Sequence, residues 1–236
     1  MDIKVLASAS DGNAYLVSDG TTHLLIECGI PYNELKVKTN FFELMPAACL
    51  ISHSHGDHLN CPGQLIRLGI PCYMSQQTFA ERGGDLPPLE VKIIEHNKRF
   101  SIGTFEVLPL EMRHDVYCLG FYLYSKALNE SLFFATDTCL IPYKLPPMDY
   151  IMVEANYDIN ILNDRIMSGY IDPSMKPRLS KSHMEIESTV LWLSKQDLSK
   201  TKRIYLLHLS HGSSNAEDFK RRVIECTGTP TTIAGG

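Results

Sequence analysis

The sequence predicts an α/β chain of αββα layering, two β-sheets packed as a sandwich with helices outside, built as one domain over residues 1–236. Three observations predict it. Short β-rich runs open each half of the chain and helical stretches follow them, an order that suits two layers of sheet covered by helices. Hydrophobic residues fill 44% of the 236 positions, enough for one full-sized core. The apolar run Ala47, Ala48, Cys49, Leu50, Ile51 stops abruptly at a polar cluster, as a buried strand does where it delivers side chains to a loop at the sheet edge.

Taken in order, strands are expected at Ile3 to Ala7, Ala14 to Ser18, His23 to Ile26, Ala48 to Ile51, Val91 to Glu95 and Thr104 to Glu111, with turns at Asp11-Gly12-Asn13 and Asp19-Gly20. Cys61 to Leu68, with Pro62 at an early helical position, and Gln76 to Arg82 read as short helices. The second half repeats the order. Strands at Cys118 to Tyr124, Leu132 to Ala135 and Tyr150 to Val153 precede helices around Asp158 to Ser168 and His183 to Lys195. A strand at Arg203 to Leu207 and a helix at Asn215 to Cys226, capped by Asn215 or Ser214, close the chain. Ile171 to Ser182, with Pro173, Pro177 and cations at 176, 178 and 181, reads as an irregular, mobile loop over a site.

Composition excludes several classes. A formal net charge of -5 with 21% charged residues is unlike the broad positive field of a typical nucleic-acid binder. The seven cysteines, at 28, 49, 61, 72, 118, 139 and 226, are odd in number and include no C-x-x-C pair, which suits reduced core thiols in a cytoplasmic protein. The start Met1-Asp2-Ile3-Lys4 lacks the pattern of an export signal, and no apolar stretch approaches the length of a membrane span.

His53, Ser54, His55, Gly56, Asp57 and His58 carry three imidazoles and a carboxylate directly after the apolar run. Alternate residues of an extended segment point the same way, so His53 and His55 can bind one ion while Asp57 and His58, beyond the Gly56 turn, reach a second. Two neighbouring ions need a shared ligand, and Asp137, after the strand Leu132 to Ala135, stands in a suitable place. His114 follows the strand ending near Glu111, and His208 ends the run Ile204 to Leu207. His23, in an early strand, and His96, in a polar turn, read as solvated side chains, whereas His211 stands beside His208 without a clear assignment.

At this point the residues resemble a family. H-x-H-x-D-H after a strand, a distant His, a Thr-Asp after another strand and a late His together resemble the metallo-β-lactamase fold. Gly12-Asn13, the segment Glu154-Ala155-Asn156-Tyr157-Asp158, and His183 resemble its phosphodiesterase branch, which includes tRNase Z, ribonuclease J and small bacterial exonucleases. The resemblance implies that His53, His55 and His114 bind one ion and Asp57, His58 and His208 the other, with Asp137 bridging. It also implies that His183 protonates the leaving oxygen and that Glu154 orients it. Glu27 stands where many members have Asp, and the Ser210 to Asn215 turn lacks the basic residue usual in the small exonucleases.

The expected reaction is therefore phosphodiester hydrolysis assisted by two divalent ions, Zn²⁺ first and Mn²⁺ second. The compact, acidic chain resembles the anti-Pycsar phosphodiesterases, which open 3′,5′-cyclic mononucleotides, and that reading stands first. A small DNA or RNA nuclease, a 5′-3′ exonuclease or a tRNase Z-like enzyme, stands second, and a non-enzymatic nucleotide-binding protein third. Tyr117, Tyr157, Ser210 and Ser213 are expected substrate contacts, the substrate is a nucleotide or a short nucleic acid, and the resemblance implies a homodimer.

Overall fold

The computed structural model describes residues 1–235 apart from 83, 85, 88 and 89. Its strands fall into two sheets, of six and seven strands. The chain divides into two compact units, Met1–Glu111 with Leu119–Glu130 and Gly235, and Met112–Cys118 with Ser131–Ala234. The elements in chain order are β1 (Asp2–Ala9), β2 (Gly12–Ser18), β3 (His23–Ile26), α1 (Tyr32–Lys38), β4 (Ala48–Leu50), α2 (Pro62–Arg67), β5 (Cys72–Met74), α3 (Gln76–Arg82), β6 (Val91–Ile93), β7 (Phe100–Ile102), β8 (Phe105–Met112), β9 (Cys118–Ser125), β10 (Glu130–Ala135), β11 (Tyr150–Glu154), α4 (Ile159–Met167), α5 (Met175–Ser182), α6 (Ile186–Ser194), β12 (Arg203–Leu207), α7 (Ala216–Thr227) and β13 (Thr231–Ile233).

In the first unit, β1, β2 and β3 form an antiparallel meander, and β4, β5 and β6 continue the sheet in parallel. The parallel strands need crossovers, and α2 and α3 supply two of them. Every residue of β2 and β4 is buried, and Ala14 to Val17 and Ala48 to Leu50 read as continuous apolar runs rather than alternating ones. Asp19 ties the turn after β2 to later strands, accepting hydrogen bonds from the Thr21 and Thr22 backbone and from the Thr104 and Ser125 hydroxyls. Those bonds outweigh the effect of burial and hold its carboxyl below the usual range.

In the second unit, β10, β11, β12 and β13 run parallel in that order. Ala135 pairs with Val153, and Glu154 with Leu207, so β10, β11 and β12 end at one level. Parallel strands in register bring the residues just past their carboxyl ends to one edge, where ligands of such sheets bind. The helices carry caps of ordinary chemistry: Asp158 accepts from the Asn160 and Ile161 amides at α4, Glu185 from Glu187 and Ser188 at α6, and Asn215 from Asp218 at α7. Gly228, with φ +66, ends α7 in the left-handed conformation glycine accepts without cost.

Two sequence expectations are corrected. Ile171 to Ser182 is not an irregular loop: Asp172 closes a turn on the Ser174 amide and α5 occupies 175–182. Pro177 is the third residue of α5, in the first turn, where its missing N–H would have had no helical partner. The later helix starts at Ile186 rather than at His183. His183 is extended, because the Met184 amide donates to Glu154 and the Met184 carbonyl accepts from the Asn156 amide, which pins this segment beside the end of β11. Helix α1 was not anticipated, its apolar spacing being weak. Among the described residues no helix is long and apolar enough to cross a membrane.

Candidate metal and catalytic site

In the first unit the segment from His53 to His58 leaves the end of β4 and folds back on itself, with the His58 and Leu59 amides donating to the His55 carbonyl. His53 and His58 are fully buried, whereas His55 and Asp57 are half-buried. Their rings converge: the centroids of His53 and His55 lie 4.7 Å apart, those of His53 and His58 4.2 Å apart. His58 Nε2 lies 3.3 Å from Asp57 Oδ2.

Each imidazole is fixed from behind. Nδ1 of His53 hydrogen-bonds the Ser52 hydroxyl at 2.8 Å. Nδ1 of His58 lies 3.6 Å from Glu27 Oε2, while Glu27 Oε1 accepts from the Ser52 amide. Asn13 Nδ2 donates to the Ala9 carbonyl and lies 3.2 Å from His58 Nε2, which an amide N–H can approach only if that nitrogen carries its lone pair. Burial raises the Glu27 carboxyl above its ordinary value, an effect that His58 and Ser52 partly offset.

The loop is also clamped through its backbone. The Asn13 amide donates to the Asp57 carbonyl, and the Cys28 amide to that of His58. Gly29 packs so tightly here that a Cβ would overlap the Asp57 carbonyl. Glycine is needed at 29 for close approach, not for an unusual φ.

The second unit assembles its groups from separate element ends. His114 follows β8, Asp137 follows β10, Glu154 ends β11, His183 caps α5 and His208 follows β12. Asp137 lies between two imidazoles, with Oδ2 3.8 Å from His114 Nε2 and Oδ1 3.6 Å from His208 Nε2. His114 Nδ1 is bonded to the Ser182 carbonyl at 2.8 Å, which makes Nδ1 the protonated nitrogen and turns Nε2 toward Asp137 and Asp115. Asn156 Nδ2 donates to the His208 carbonyl and lies 3.0 Å from that ring's Nδ1.

Glu154, fully buried, accepts from the Thr138 and Met184 amides and bonds His183 Nδ1 at 2.7 Å. Burial acts to raise its carboxyl, but the His183 charge and the interactions with the His183 and His208 rings prevail and hold it low. In return, burial acts to lower His183, and the Glu154 charge and hydrogen bond overcome it, so His183 holds its proton above the ordinary histidine range. The His183 side chain keeps 18% of its surface exposed, the only access to solvent in the pair. Its ring stacks on His208 at 5.3 Å, with 11° between planes.

The donor chemistry fits divalent metal. Nitrogen and oxygen ligands at about 2.0–2.1 Å from a tetrahedral ion lie roughly 3.3 Å apart. The pairs His58–Asp57, His208–Asp137 and His114–Asp137, at 3.3, 3.6 and 3.8 Å, lie near that spacing, the last two beyond good hydrogen-bond length. Ligand atoms of Asp137, Glu154, His183 and His208 also fall within 4.8 Å of one another.

Tyr157 is buried, and burial together with the charges of Glu185 and Glu154 pushes its hydroxyl up to about 12. Ser213 is buried and its carbonyl accepts from the Asp158 amide, while Ser210 is half-buried with its amide on the Asn156 carbonyl. Tyr117 is half-buried and His211 exposed. Sequence reasoning overlooked the backbone. Glu27, Asp137 and His208 each follow a strand with positive φ, 63°, 49° and 55°, a conformation uncommon outside glycine that accumulates at functional sites.

A family comparison decides the class: the model described as "Beta-lactamase superfamily domain" matches residues 44–209. The chain belongs to this superfamily. The exodeoxyribonuclease WalJ of Streptococcus pneumoniae (strain D39) is 26% identical over 221 residues, spanning 87% of this chain and 80% of WalJ. Among solved superfamily-like folds, Zn²⁺-bound PqqB from Methylobacterium extorquens superposes with a TM-score of 0.74 at 14% identity, covering 100% of this chain and 99% of its own. The short form of human tRNase Z gives 0.62 at 16% identity, covering 100% and 96%. At those identities the two structures speak for the superfamily fold alone. The superfamily match spans the imidazole-rich loop, His114, Asp137, Glu154, His183 and His208.

Proposed function

We propose that this beta-lactamase superfamily chain is a metal-dependent phosphodiesterase that cleaves nucleic-acid strands. The observation that carries the reading is the Glu154–His183 pair, a buried carboxylate bonded at 2.7 Å to a partly exposed imidazole beside Asp137. His53, His55 and His114 are assigned to one divalent cation, Asp57, His58 and His208 to a second, and Asp137 to both, in one domain formed by the whole chain. Zn²⁺ is the first expectation, supported by the donor set and by the Zn²⁺ bound in PqqB, and Mn²⁺ the second. When bound, such cations supply an activated water and positive charge for in-line displacement at phosphorus. Around them, Ser52, Glu27 and Asn156 orient imidazoles, and Glu154 keeps His183 protonated so that Nε2 delivers a proton to the departing sugar oxygen.

The strand reading is supported by the exonuclease relative and by α5. This helix contains Lys176, Arg178 and Lys181 and no acid, all three cations are exposed, and it ends at His183. A basic, exposed segment leading to the proton donor suits a polyanion better than a mononucleotide. The compact acidic chain keeps 3′,5′-cyclic mononucleotides as the second reading. A cytoplasmic homodimer is proposed with either. The deciding assay offers the Mn²⁺- or Zn²⁺-loaded protein 5′-labelled single-stranded DNA, short RNA and cyclic mononucleotides side by side. Stepwise shortening of DNA is the expected result, and rapid opening of cyclic nucleotides with intact DNA would overturn it.

A further inference from the structure

We propose that Arg82 forms a subsite for a second phosphate of the substrate, beside the metal-binding loop of the first unit. The proposal rests on the strand-cleaving reading and deepens it, because a cyclic mononucleotide has only one phosphate to offer. Arg82 is the last residue of α3, distant in sequence from the loop, yet its Nε donates to the Ser54 carbonyl at 3.0 Å. That bond aims the guanidinium over Gly56: a Cβ at Gly56 would lie 3.0 Å from a terminal nitrogen of Arg82, tighter than ordinary packing. Glycine at 56, between His55 and Asp57, thus leaves room for the guanidinium to lie against the loop.

Arg82 also borders an open cleft of about 310 Å³, lined with it by Gly56, Leu59, Asn60 and Pro62. Among the described residues no carboxylate pairs with Arg82; the nearby Glu81 is bonded instead to the Ser54 hydroxyl. A guanidinium presents planar, divergent donors that match phosphate oxygens, and Asn60 lines the same cleft. Arg82 is the side chain whose formal charge suits a substrate anion here, since the adjoining loop supplies imidazoles and one carboxylate. Placed next to residues that engage the scissile group, it would bind the neighbouring phosphate of a strand and set its register.

The test uses bis(4-nitrophenyl) phosphate, with one phosphorus, as the reporter substrate of the metal-loaded protein. Competitors are thymidine 5′-monophosphate and a 5′-phosphorylated thymidine dinucleotide, which has two phosphates. The wild type should bind the dinucleotide at least tenfold tighter, and Arg82→Gln should collapse that ratio toward one, with Arg82→Lys intermediate because it keeps charge but loses the fork. Gly56→Ala, which crowds the guanidinium, should reduce the ratio in the same direction. Equal loss of affinity for both competitors together with a fall in bound metal would show that Arg82 only braces the loop and would overturn the proposal, as would a ratio that Arg82→Gln leaves intact. If DNA resists cleavage while the ratio behaves as expected, the subsite stands and the strand reading fails; DNA cleavage with an unaffected ratio means the reverse.

Discussion

The first unit draws the groups proposed to bind metal from one hexapeptide, whereas the second gathers His114, Asp137, Glu154, His183 and His208 from the ends of five elements. The loop of the first unit is held largely by neighbouring backbone, through the Asn13 and Cys28 amides and the close approach of Gly29. The second set is held by the common level at which β10, β11 and β12 end and by side-chain bonds around Glu154. The two therefore differ in what breaks them. A change of backbone packing should dismantle the first as a group, while the second should fail residue by residue.

Gly29→Ala tests the first half of that contrast and carries the largest expected effect. The added Cβ cannot fit against Asp57, so the loop must move, with a loss of about 3 kcal/mol or more in stability. Bound metal should fall well below that of the wild type, and denaturant titration and elemental analysis check both. A variant with normal metal content would show that the clamp is looser than its geometry. Asp137→Ala should keep the fold yet reduce turnover about 10³-fold or more and leave less than about one equivalent of metal per chain.

His183→Ala comes next. Loss of the proposed proton donor should cost about 10²-fold or more on a nucleotide, whose alkoxide leaves poorly, and much less on a nitrophenyl ester, whose leaving group needs no proton. Equal losses on both would remove His183 from that role. Glu154→Gln sharpens the same point through pH. Since Glu154, more than Asp137, raises His183, removing its charge should bring the alkaline limb of the pH–rate profile to lower pH, and an unmoved limb would assign that limb to another group.

The smallest expected effect compares one buried carboxylate in each unit. Asp19 joins its turn to Thr104 and Ser125, and Asp149 joins the start of β10 to Lys200 and Lys202. For Asp149, burial acts to raise the carboxyl, but the Ser131 bonds and the two lysines outweigh it, so its pKa, like that of Asp19, lies below the ordinary value. A carboxylate with a lowered folded-state pKa stabilises the fold above its unfolded value of about 3.9, and that contribution is lost as pH falls through the folded value. Asp19→Asn and Asp149→Asn should each cost about 1–2 kcal/mol at pH 7, with the difference from wild type shrinking below about pH 4.

Much of this was legible before the tertiary structure. Helix 76–82 coincides with its expectation, and most strands lie within a residue or two of theirs, because apolar runs bounded by Gly, Asp and Asn leave little choice. Pro173 and Pro177 misled in 171–182, since a proline in the first turn does not oppose a helix. Glu27 carried a signal as a departure from the family's usual Asp; Gly29 and Arg82 carried none, their importance lying in approaches between segments far apart in sequence.

The sequence by itself determined the density of imidazoles in 53–58, the superfamily pattern and the strand-end position of His114, Asp137 and His208. Those follow from local order, in which an apolar run ends and a polar group begins. Only the tertiary structure decided that Glu154 faces His183 at 2.7 Å, that three non-glycine residues turn with positive φ where strands end, and that Arg82 lies over Gly56. Each of these depends on parallel register or on backbone contact between distant segments, interactions that no one-dimensional spacing encodes.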